Sequence, residues 1–420
     1  MTGPGPRAAW HPFGSLLGDP TLVRLWAGRL LERSGDWILL VAALVLAWDV
    51  TGDPAAVAVL ILVRVLPRVV LLVLGLPAGA RRIATKLFFL MTPMRAALAM
   101  ALALAPDAGG LPGLLAAVAA IALLWALSEA VRAESVAALV PRLFLGRAVM
   151  LNAATERVAM VVGPASAGLT MAVLGAPAAL AAAGLLLAGA SVLALGRSGL
   201  VARTSLGSAT TVGERDDIGP ARRPPWGPVA AHPTLSLMAA ASFASGALLT
   251  SLTIALVAVV IERSGGPVWW LGWLLAVVGL GTSIGPVATA RVLAHVPAPL
   301  LVTAAVIATA LGVAVIGLTS LLIVVVVVLF ALGLVAVNAD AVIATVTRRL
   351  TPAERLADTS RAMLGACACG QATGALAVLA VSASRGVTDV LLILGVASVL
   401  LVGVLLLAGQ ARHPAIRQGP

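Results

Sequence analysis

The chain has 420 residues, of which 61% are hydrophobic and only 11% are charged, and its mean hydropathy is +1.08. Ordinary soluble domains are far more polar, so this composition excludes a soluble globular protein. The net charge of +11 would suggest nucleic-acid binding in a soluble protein, but here the positions of the basic residues indicate a membrane topology instead.

Twelve apolar segments are each long enough to cross a bilayer, whose hydrocarbon core of roughly 30 Å requires about 20 residues of helix. The segments are continuously apolar and do not alternate, which excludes a transmembrane β-barrel. The sequence therefore predicts an all-α membrane protein with twelve transmembrane helices. We place the spans at residues 25–48, 55–76, 87–105, 111–130, 148–174, 177–195, 235–261, 268–289, 299–318, 321–343, 361–382 and 388–408.

The basic residues lie almost entirely in alternate connections between these spans. Twenty of the 28 lie on one side, whereas only Arg263 and Arg385 lie in connections of the other side. By the positive-inside rule, both termini are expected to be cytoplasmic. A single lysine beside many alanines, arginines and glycines is typical of a GC-rich bacterial genome, so we expect a bacterial cell membrane.

One long polar stretch, residues 196–231, is rich in Ser, Thr, Gly and Pro and is predicted to be a cytoplasmic linker. It separates six spans in residues 1–195 from six in residues 232–420, which predicts two pseudo-symmetric six-helix bundles. Two such halves around a site near the midplane are the arrangement of secondary transporters that work by alternating access.

Several segments resemble the major facilitator superfamily over essentially the whole chain. Residues 22–50 resemble the opening of its members, and the closest branch is the twelve-helix exporters that include siderophore and macrolide efflux proteins. The resemblance implies outward transport by a monomeric antiporter, and Gly163-Pro164 resembles the glycine-proline signature of antiporters. The other matching stretches are Arg64-Val-Leu-Pro67, Leu139-Val-Pro141 and Gly163-Pro164-Ala-Ser-Ala-Gly168.

The chain departs from the family between spans two and three. Members usually carry a Gly-x-x-x-Asp-Arg-x-x-Arg-Arg signature there, in which the aspartate anchors a cytoplasmic charge network. This chain has no aspartate between residues 54 and 106, so a gate must close through other groups, such as helix ends or Glu129 and Glu134. The retained positions of the signature are Gly75, Gly79, Arg81 and Arg82.

Charged side chains inside the spans are costly, so they are expected to face a cavity or a partner. Span one carries four of them within about a 100° arc of one helix face. They are Arg29, Glu32, Arg33 and Asp36.

A functional and a structural interpretation of these charges remain open. Asp36 lies near the membrane midplane, and an acid that exchanges its arginine partner during rocking can load and release a proton. We therefore interpret Asp36, Glu32 and Glu156 as candidates for proton coupling or substrate binding. The alternative is that the charges of span one pair with Arg64 and Arg68 and only lock the first bundle.

Other residues are candidates for lining a cavity or forming a gate. Six arginines inside the spans, set against the acids Glu32, Asp36, Glu156 and Asp340, favour an anionic or amphipathic substrate. The candidates are Arg29, Arg33, Arg64, Arg68, Arg95, Asn152, Arg157, Gly163, Pro164, Asp340 and Gln371.

The sequence contains no phosphate-binding Gly-x-x-x-x-Gly-Lys loop and no His-Glu-x-x-His motif, so neither an enzyme nor a cofactor or metal site is expected. Our leading hypothesis is a proton-coupled exporter of an amphipathic small molecule, such as an antibiotic or a siderophore-like metabolite, with no nucleic-acid partner. The alternative is a degenerate, non-transporting member that acts as a membrane scaffold or accessory in a biosynthetic assembly.

Overall fold

The computed structural model describes residues 20–75, 78–106, 109–139, 142–195, 226–260, 265–293, 296–319, 321–382 and 387–412. Twelve long α-helices account for most of these residues. They are α1 Pro20–Thr51, α2 Pro54–Val73, α3 Ala78–Leu104, α4 Gly110–Leu139, α5 Arg142–Leu174, α6 Ala176–Leu195, α7 Pro233–Ala258, α8 Trp270–Leu293, α9 Ala298–Leu318, α10 Leu322–Leu350, α11 Leu356–Ser382 and α12 Val387–Arg412.

Each predicted span coincides with one of these helices, so the prediction of an all-α fold with twelve spans is confirmed for the described residues. Ten of the helices contain a stretch that is long and apolar enough to cross a membrane. Helix α8 contributes a shorter apolar stretch, Trp270–Gly285, and α1 carries several charges in its N-terminal half. The protein is therefore a multi-pass membrane protein.

The helix ends use residues suited to them. At the start of α2 the carboxylate of Asp53 accepts a hydrogen bond from the backbone N–H of Ala55 at 2.7 Å, and Pro54 occupies the first turn. Gly52, with a φ of 64°, makes the turn after α1. Several prolines lie inside helices without ending them, as membrane-spanning helices tolerate. They include Pro67, Pro93 and Pro164.

The helices pack in two groups that have the same internal arrangement. In the first group α1 packs against α5 and α6, α3 against α4 and α6, and α2 against α4. Adding six to each number gives the second group: α7 packs against α11 and α12, α9 against α10 and α12, and α8 against α10. This correspondence is the internal symmetry of two six-helix bundles, which we call the first and the second bundle.

Two helix pairs, α2 with α11 and α5 with α8, make the largest contacts between the bundles, and the symmetry exchanges them. The α5–α8 contact is close because glycines face backbone carbonyls. A Cβ atom on Gly272 would lie 2.5 Å from the oxygen of Pro164, and one on Gly279 would lie 2.6 Å from the oxygen of Met160. Small residues at such crossings let the helix backbones approach each other.

The apolar core joins the bundles on one side of the membrane. We call the side where α1 begins and α12 ends the termini side, and the opposite side the far side. On the far side one apolar cluster includes residues 38–48 of α1 and 252–260 of α7. The clusters on the termini side belong to single bundles, for example around Met238 in the second and Met91 in the first.

The predicted linker is described only in part. Residues 196–225 lie outside the described residues, and a short helix, Gly227–Ala231, precedes α7. Val229 of this helix is buried in the apolar cluster of the second bundle. The division of the chain at residues 195 and 232 stays a prediction.

Candidate functional site

Eight charged side chains form a continuous set of ion pairs inside the first bundle. Four guanidinium groups face four carboxylates, so the set is electrically neutral when all its members are ionised. We call it the ion-pair network. Its members are Arg29, Glu32, Arg33 and Asp36 of α1, Arg95 of α3, Glu129 and Arg132 of α4, and Glu156 of α5.

Arg95 is the most deeply buried member, with 0% of its surface exposed. Its Nη1 donates a hydrogen bond to Oε1 of Glu32 at 3.0 Å, and its Nη2 donates one to Oδ1 of Asp36. Glu32 and Asp36 are themselves only 3% and 7% exposed. Buried charges persist only when they are paired and hydrogen-bonded. Arg95 therefore holds the two acids of α1 in place.

Glu129 binds the two arginines of α1. Arg29 donates hydrogen bonds to both of its carboxylate oxygens, at 2.8 Å and 3.0 Å. Arg33 donates a further hydrogen bond to Oε2 of Glu129 at 3.0 Å. A two-pronged arginine–carboxylate pair is a strong and geometrically specific contact. The pairs therefore fix α4 against α1.

Arg132 and Glu156 complete the ion-pair network at its edges. Nη2 of Arg132 donates a hydrogen bond to Oε2 of Glu32 at 2.9 Å. Glu156 pairs with Arg33 and lies 3.5 Å from Nη2 of Arg29. Its side chain is 37% exposed, more than that of any other member of the network. Glu156 is thus the member that a ligand can reach most easily.

The two arginines of α2 do not join the ion-pair network. Among the described residues, neither Arg64 nor Arg68 has a carboxylate within ion-pairing distance. The guanidinium of Arg68 lies 5.8 Å from the ring centre of Trp125, and that of Arg33 lies 5.4 Å from it. Such cation–π contacts orient the guanidinium groups without neutralising them. The locking interpretation therefore accounts for the charges of α1 but leaves those of α2 unexplained.

A cavity of about 20 Å³ lies between α1, α2, α3 and α4. This volume accommodates about one water-sized group. Oδ2 of Asp36 and Nε1 of Trp125 are buried without a hydrogen-bond partner among the described residues. Both residues border the cavity together with Arg64 and Arg95, and the remaining lining is mostly aliphatic. The cavity can therefore supply both charge and hydrogen bonds to a small group.

The second bundle places two titratable groups near Arg68. Asp340 of α10 is exposed, and its carboxylate lies within electrostatic reach of the Arg68 guanidinium. Cys367 of α11 lies within reach of both residues. No ion pair joins Asp340 to another described residue.

Three other candidates stay apart from the ion-pair network. Asn152 is exposed, whereas Arg157 and Gln371 are half-buried. None of the three makes a side-chain hydrogen bond or ion pair with another described residue. The structure gives them no shared site.

Gly163 and Pro164 lie where α5 contacts both α1 and α8. A Cβ atom on Gly163 would lie 2.6 Å from Cβ of Trp37 on α1. The carbonyl oxygen of Pro164 lies against Gly272 of α8. Both residues therefore allow α5 to pack closely against α1 and α8.

Arg361 of α11 binds the end of α2. Its Nε donates a hydrogen bond to the carbonyl of Leu72 at 2.9 Å, and its Nη2 donates one to Leu71 at 3.3 Å. The last carbonyls of a helix lack intrahelical donors and carry partial negative charge, so a guanidinium suits them. Gly75 has a φ of 85°, and a Cβ atom there would lie 2.5 Å from Nη2 of Arg361. Gly75 therefore makes room for this contact, which links the bundles on the termini side.

The other residues of the loop signature lie in the first turns of α3. Gly79, Arg81 and Arg82 are helical there, and the arginine side chains lie outside the described residues. The side chain of Glu134, considered for the gate, also lies outside them.

Sequence reasoning missed two members of the ion-pair network. It considered Glu129 only for a gate and placed Arg132 in a connection, but α4 continues to Leu139 and carries both inside the bundle. Residues three apart share one helix face. An acid and an arginine at that spacing, at the end of an apolar run, were the signal that could have found them.

No protein-family model and no curated protein sequence matches the chain. Among solved structures it is similar to a POT family transporter in complex with 5-aminolevulinic acid, with a TM-score of 0.68 and 13% identity over 93% of this chain and 96% of that chain. It is also similar to a POT family transporter in complex with a thioalcohol-conjugated peptide, with a TM-score of 0.67 and 13% identity over 92% and 95% of the two chains. A mutant of the peptide transporter POT in complex with sulfate gives a TM-score of 0.70 and 14% identity over 91% and 93%.

At these identities the likeness shows the fold alone. The chain therefore has the major facilitator fold that the sequence predicted. The matches give no support to the siderophore and macrolide exporter branch in particular.

Proposed function

We propose that this protein is a secondary transporter that moves a small molecule across the membrane by alternating access. The observation that carries the proposal is the packing of two similar bundles against each other, mainly through the symmetry-related pairs α2–α11 and α5–α8. Rocking of one bundle against the other about such contacts exposes the space between them to each side in turn. An ion or substrate gradient supplies the energy.

Protons are the proposed coupling ion, with Asp36, Glu32 and Glu156 as the candidate carriers. Asp36 is the best placed of the three because it borders the cavity and Arg95 binds one of its oxygens, while the other oxygen accepts no hydrogen bond from a described residue. A proton on that free oxygen would change the ion-pair network from neutral to positive and weaken the pair with Arg95. Proton uptake would thereby weaken the contact between α1 and α3, which Arg95 joins.

The proposed cargo is an amphipathic small molecule, such as an antibiotic or a siderophore-like metabolite, moved outward by a monomer. The direction of transport rests on the resemblance of the sequence to exporters. The placement of basic residues supports cytoplasmic termini in a bacterial cell membrane.

A non-transporting membrane scaffold is the second candidate, because four charges of α1 are engaged in pairs that stiffen the first bundle. The missing aspartate between α2 and α3 also favours it. The contact of Arg361 with the end of α2 weakens that support, since it provides a different polar link between the bundles near the same place.

The test is the ratio of small metabolites inside and outside cells, measured by mass spectrometry. Cells that lack the protein are compared with cells that carry the wild type, Asp36→Asn or the control Arg24→Gln, whose arginine is exposed. A transporter of this kind clears at least one metabolite in wild-type and Arg24→Gln cells but not in Asp36→Asn cells. If all ratios are equal while the total amount of a metabolite falls in cells that lack the protein, the scaffold replaces the transporter.

A further inference from the structure

The ion-pair network neutralises itself, and this leaves positive charge on α2 without an anion. Arg64 and Arg68 are one helix turn apart and lie on the same face of α2. Both are half-buried, and neither has a carboxylate within ion-pairing distance among the described residues. Charges inside membrane helices almost always find partners, because leaving them unpaired in a bilayer is costly.

The surroundings of the two arginines increase the need for an anion. The positive charges of Arg33 and Arg68 repel that of Arg64, and no described acid compensates the charge of Arg64. Arg68 rests on Trp125, and Asp340 of the second bundle lies within its electrostatic reach. One exposed carboxylate cannot neutralise two guanidinium groups.

We propose that Arg64 and Arg68 form an anion site that binds a carboxylate group of the transported molecule. Arginine offers a planar fork of donors that matches a carboxylate in two-pronged geometry. Trp125 holds Arg68 in position and borders the cavity together with Arg64, and its Nε1 has no partner among the described residues, so it is available to donate a third hydrogen bond. The inference rests on the proposed transport function only in calling the ligand a cargo.

The shape of the cavity agrees with a headgroup site. Its volume of about 20 Å³ holds about one water-sized group, such as one oxygen of a carboxylate, and not a whole organic molecule. Its walls next to Arg64 are aliphatic and include Leu40, Leu60 and Ile121. One carboxylate oxygen therefore enters the cavity beside Arg64, the other faces Arg68, and the rest of the ligand extends toward the second bundle.

The experiment measures thermal unfolding of the full chain in lipid nanodiscs at constant ionic strength. Three probes of equal chain length differ only in the head: hexanoate, hexanamide and hexylammonium. Sulfate serves as a fourth probe, an inorganic oxyanion. The variants are Arg64→Gln and Arg68→Gln, with Arg24→Gln as the matched control because Arg24 is an exposed arginine of α1. Arg64→Lys and Arg68→Lys keep the positive charge but lose the two-pronged donor geometry of the guanidinium group. Each of them is used in place of the corresponding glutamine variant if that variant does not fold.

Hexanoate is expected to raise Tm by about 2–4 °C in the wild type and in Arg24→Gln. In the glutamine variants the shift is expected to fall to less than half, and in the lysine variants to an intermediate value. Equal shifts with hexanamide or hexylammonium would overturn the anion site, as would an undiminished hexanoate shift in the glutamine variants. A Tm shift with sulfate and none with hexanoate would mean that an inorganic counter-ion fills the site. That result would overturn the proposal that the site binds a carboxylate group of the cargo.

This outcome is separable from that of the transport assay. A scaffold with the anion site shows the hexanoate shift and clears no metabolite. A transporter of neutral or cationic cargo clears a metabolite and shows no shift that depends on Arg64 or Arg68.

Discussion

Removing the guanidinium of Arg95 tests how far the ion-pair network holds the first bundle together. In Arg95→Met an apolar side chain of similar length replaces a group that is 0% exposed and binds two buried carboxylates. Glu32 keeps Arg29 at 3.2 Å and Arg132 at 2.9 Å, whereas Asp36 keeps only Arg33 at 3.7 Å. The loss is therefore concentrated at Asp36.

Breaking one partner out of a buried ion pair costs about 3–5 kcal/mol, and the remaining pairs of Glu32 place the expected cost near the lower end. For a bundle of this size, about 3 kcal/mol corresponds to a decrease in Tm of roughly 6–12 °C. Thermal unfolding in nanodiscs, with size-exclusion profiles to confirm folding, measures this change. The control is Arg157→Met, in which no described carboxylate loses a partner, and its Tm is expected to change little.

The second variant separates charge from packing. Arg95→Met combined with Asp36→Asn removes the uncompensated carboxylate, so it is expected to recover at least half of the lost stability, as charge-free replacements of buried pairs do. A Tm within about 1 °C of the wild type for Arg95→Met alone would refute the reasoning. A double variant that is no more stable than the single one would show that packing, and not an orphaned charge, causes the loss.

Two further changes test the contacts that join helices. Arg361→Gln removes charge-assisted hydrogen bonds to the end of α2, chiefly the one to Leu72 at 2.9 Å. Losing these hydrogen bonds costs about 1.5 kcal/mol, which shifts the equilibrium about 10-fold toward states in which the bundles separate on the termini side. Fluorescence transfer between labels on α2 and α11 would detect this separation as a longer distance. An unchanged distance would contradict this role. The valine side chain of Gly163→Val would overlap Trp37, so this variant is expected to lower the free energy of unfolding by about 1–3 kcal/mol in thermal unfolding. The control is Leu169→Val, at a side chain on the same helix that is 57% exposed, and it is expected to lower the free energy of unfolding by less than about 0.5 kcal/mol. Equal effects of the two would contradict the packing role of Gly163.

The helices were predictable because a bilayer sets their length and because the basic residues mark every second connection. The charged face of α1 was predictable as well, since the 100° spacing puts Arg29 and Asp36 on one side of the helix. The partners were not, because Arg95 and Glu129 come from helices that are distant in sequence.

The contact of Arg361 with the end of α2 shows the other limit of sequence reasoning. Helix ends were among the groups expected to close the gate, and Arg361 does bind the carbonyls at the end of α2. Backbone carbonyls carry no sequence pattern, so nothing in the sequence identified Arg361. The positive φ of Gly75 beside it was likewise visible only in the structure.

The unpaired arginines of α2 could not be separated from the others by sequence. Arg64 and Arg33 have the same side chain and both lie inside predicted spans, yet among the described residues only Arg33 pairs with carboxylates. Pairing depends on which acids the packing of α4 and α5 brings close.

Alternating access requires the two bundles to rock against each other, and a distance measured across the far side reports this motion. Spin labels at Leu104 of α3 and Leu318 of α9 would report opening there, since both side chains are exposed, at 80% and 70%, and lie at the far-side ends of symmetry-related helices. The free Cys367 and Cys369 are first replaced by alanine. Alternating access predicts a short and a long distance population, with the long one reduced about 10-fold in Arg361→Gln. A single distance that is the same in the wild type and in Arg361→Gln would contradict alternating access.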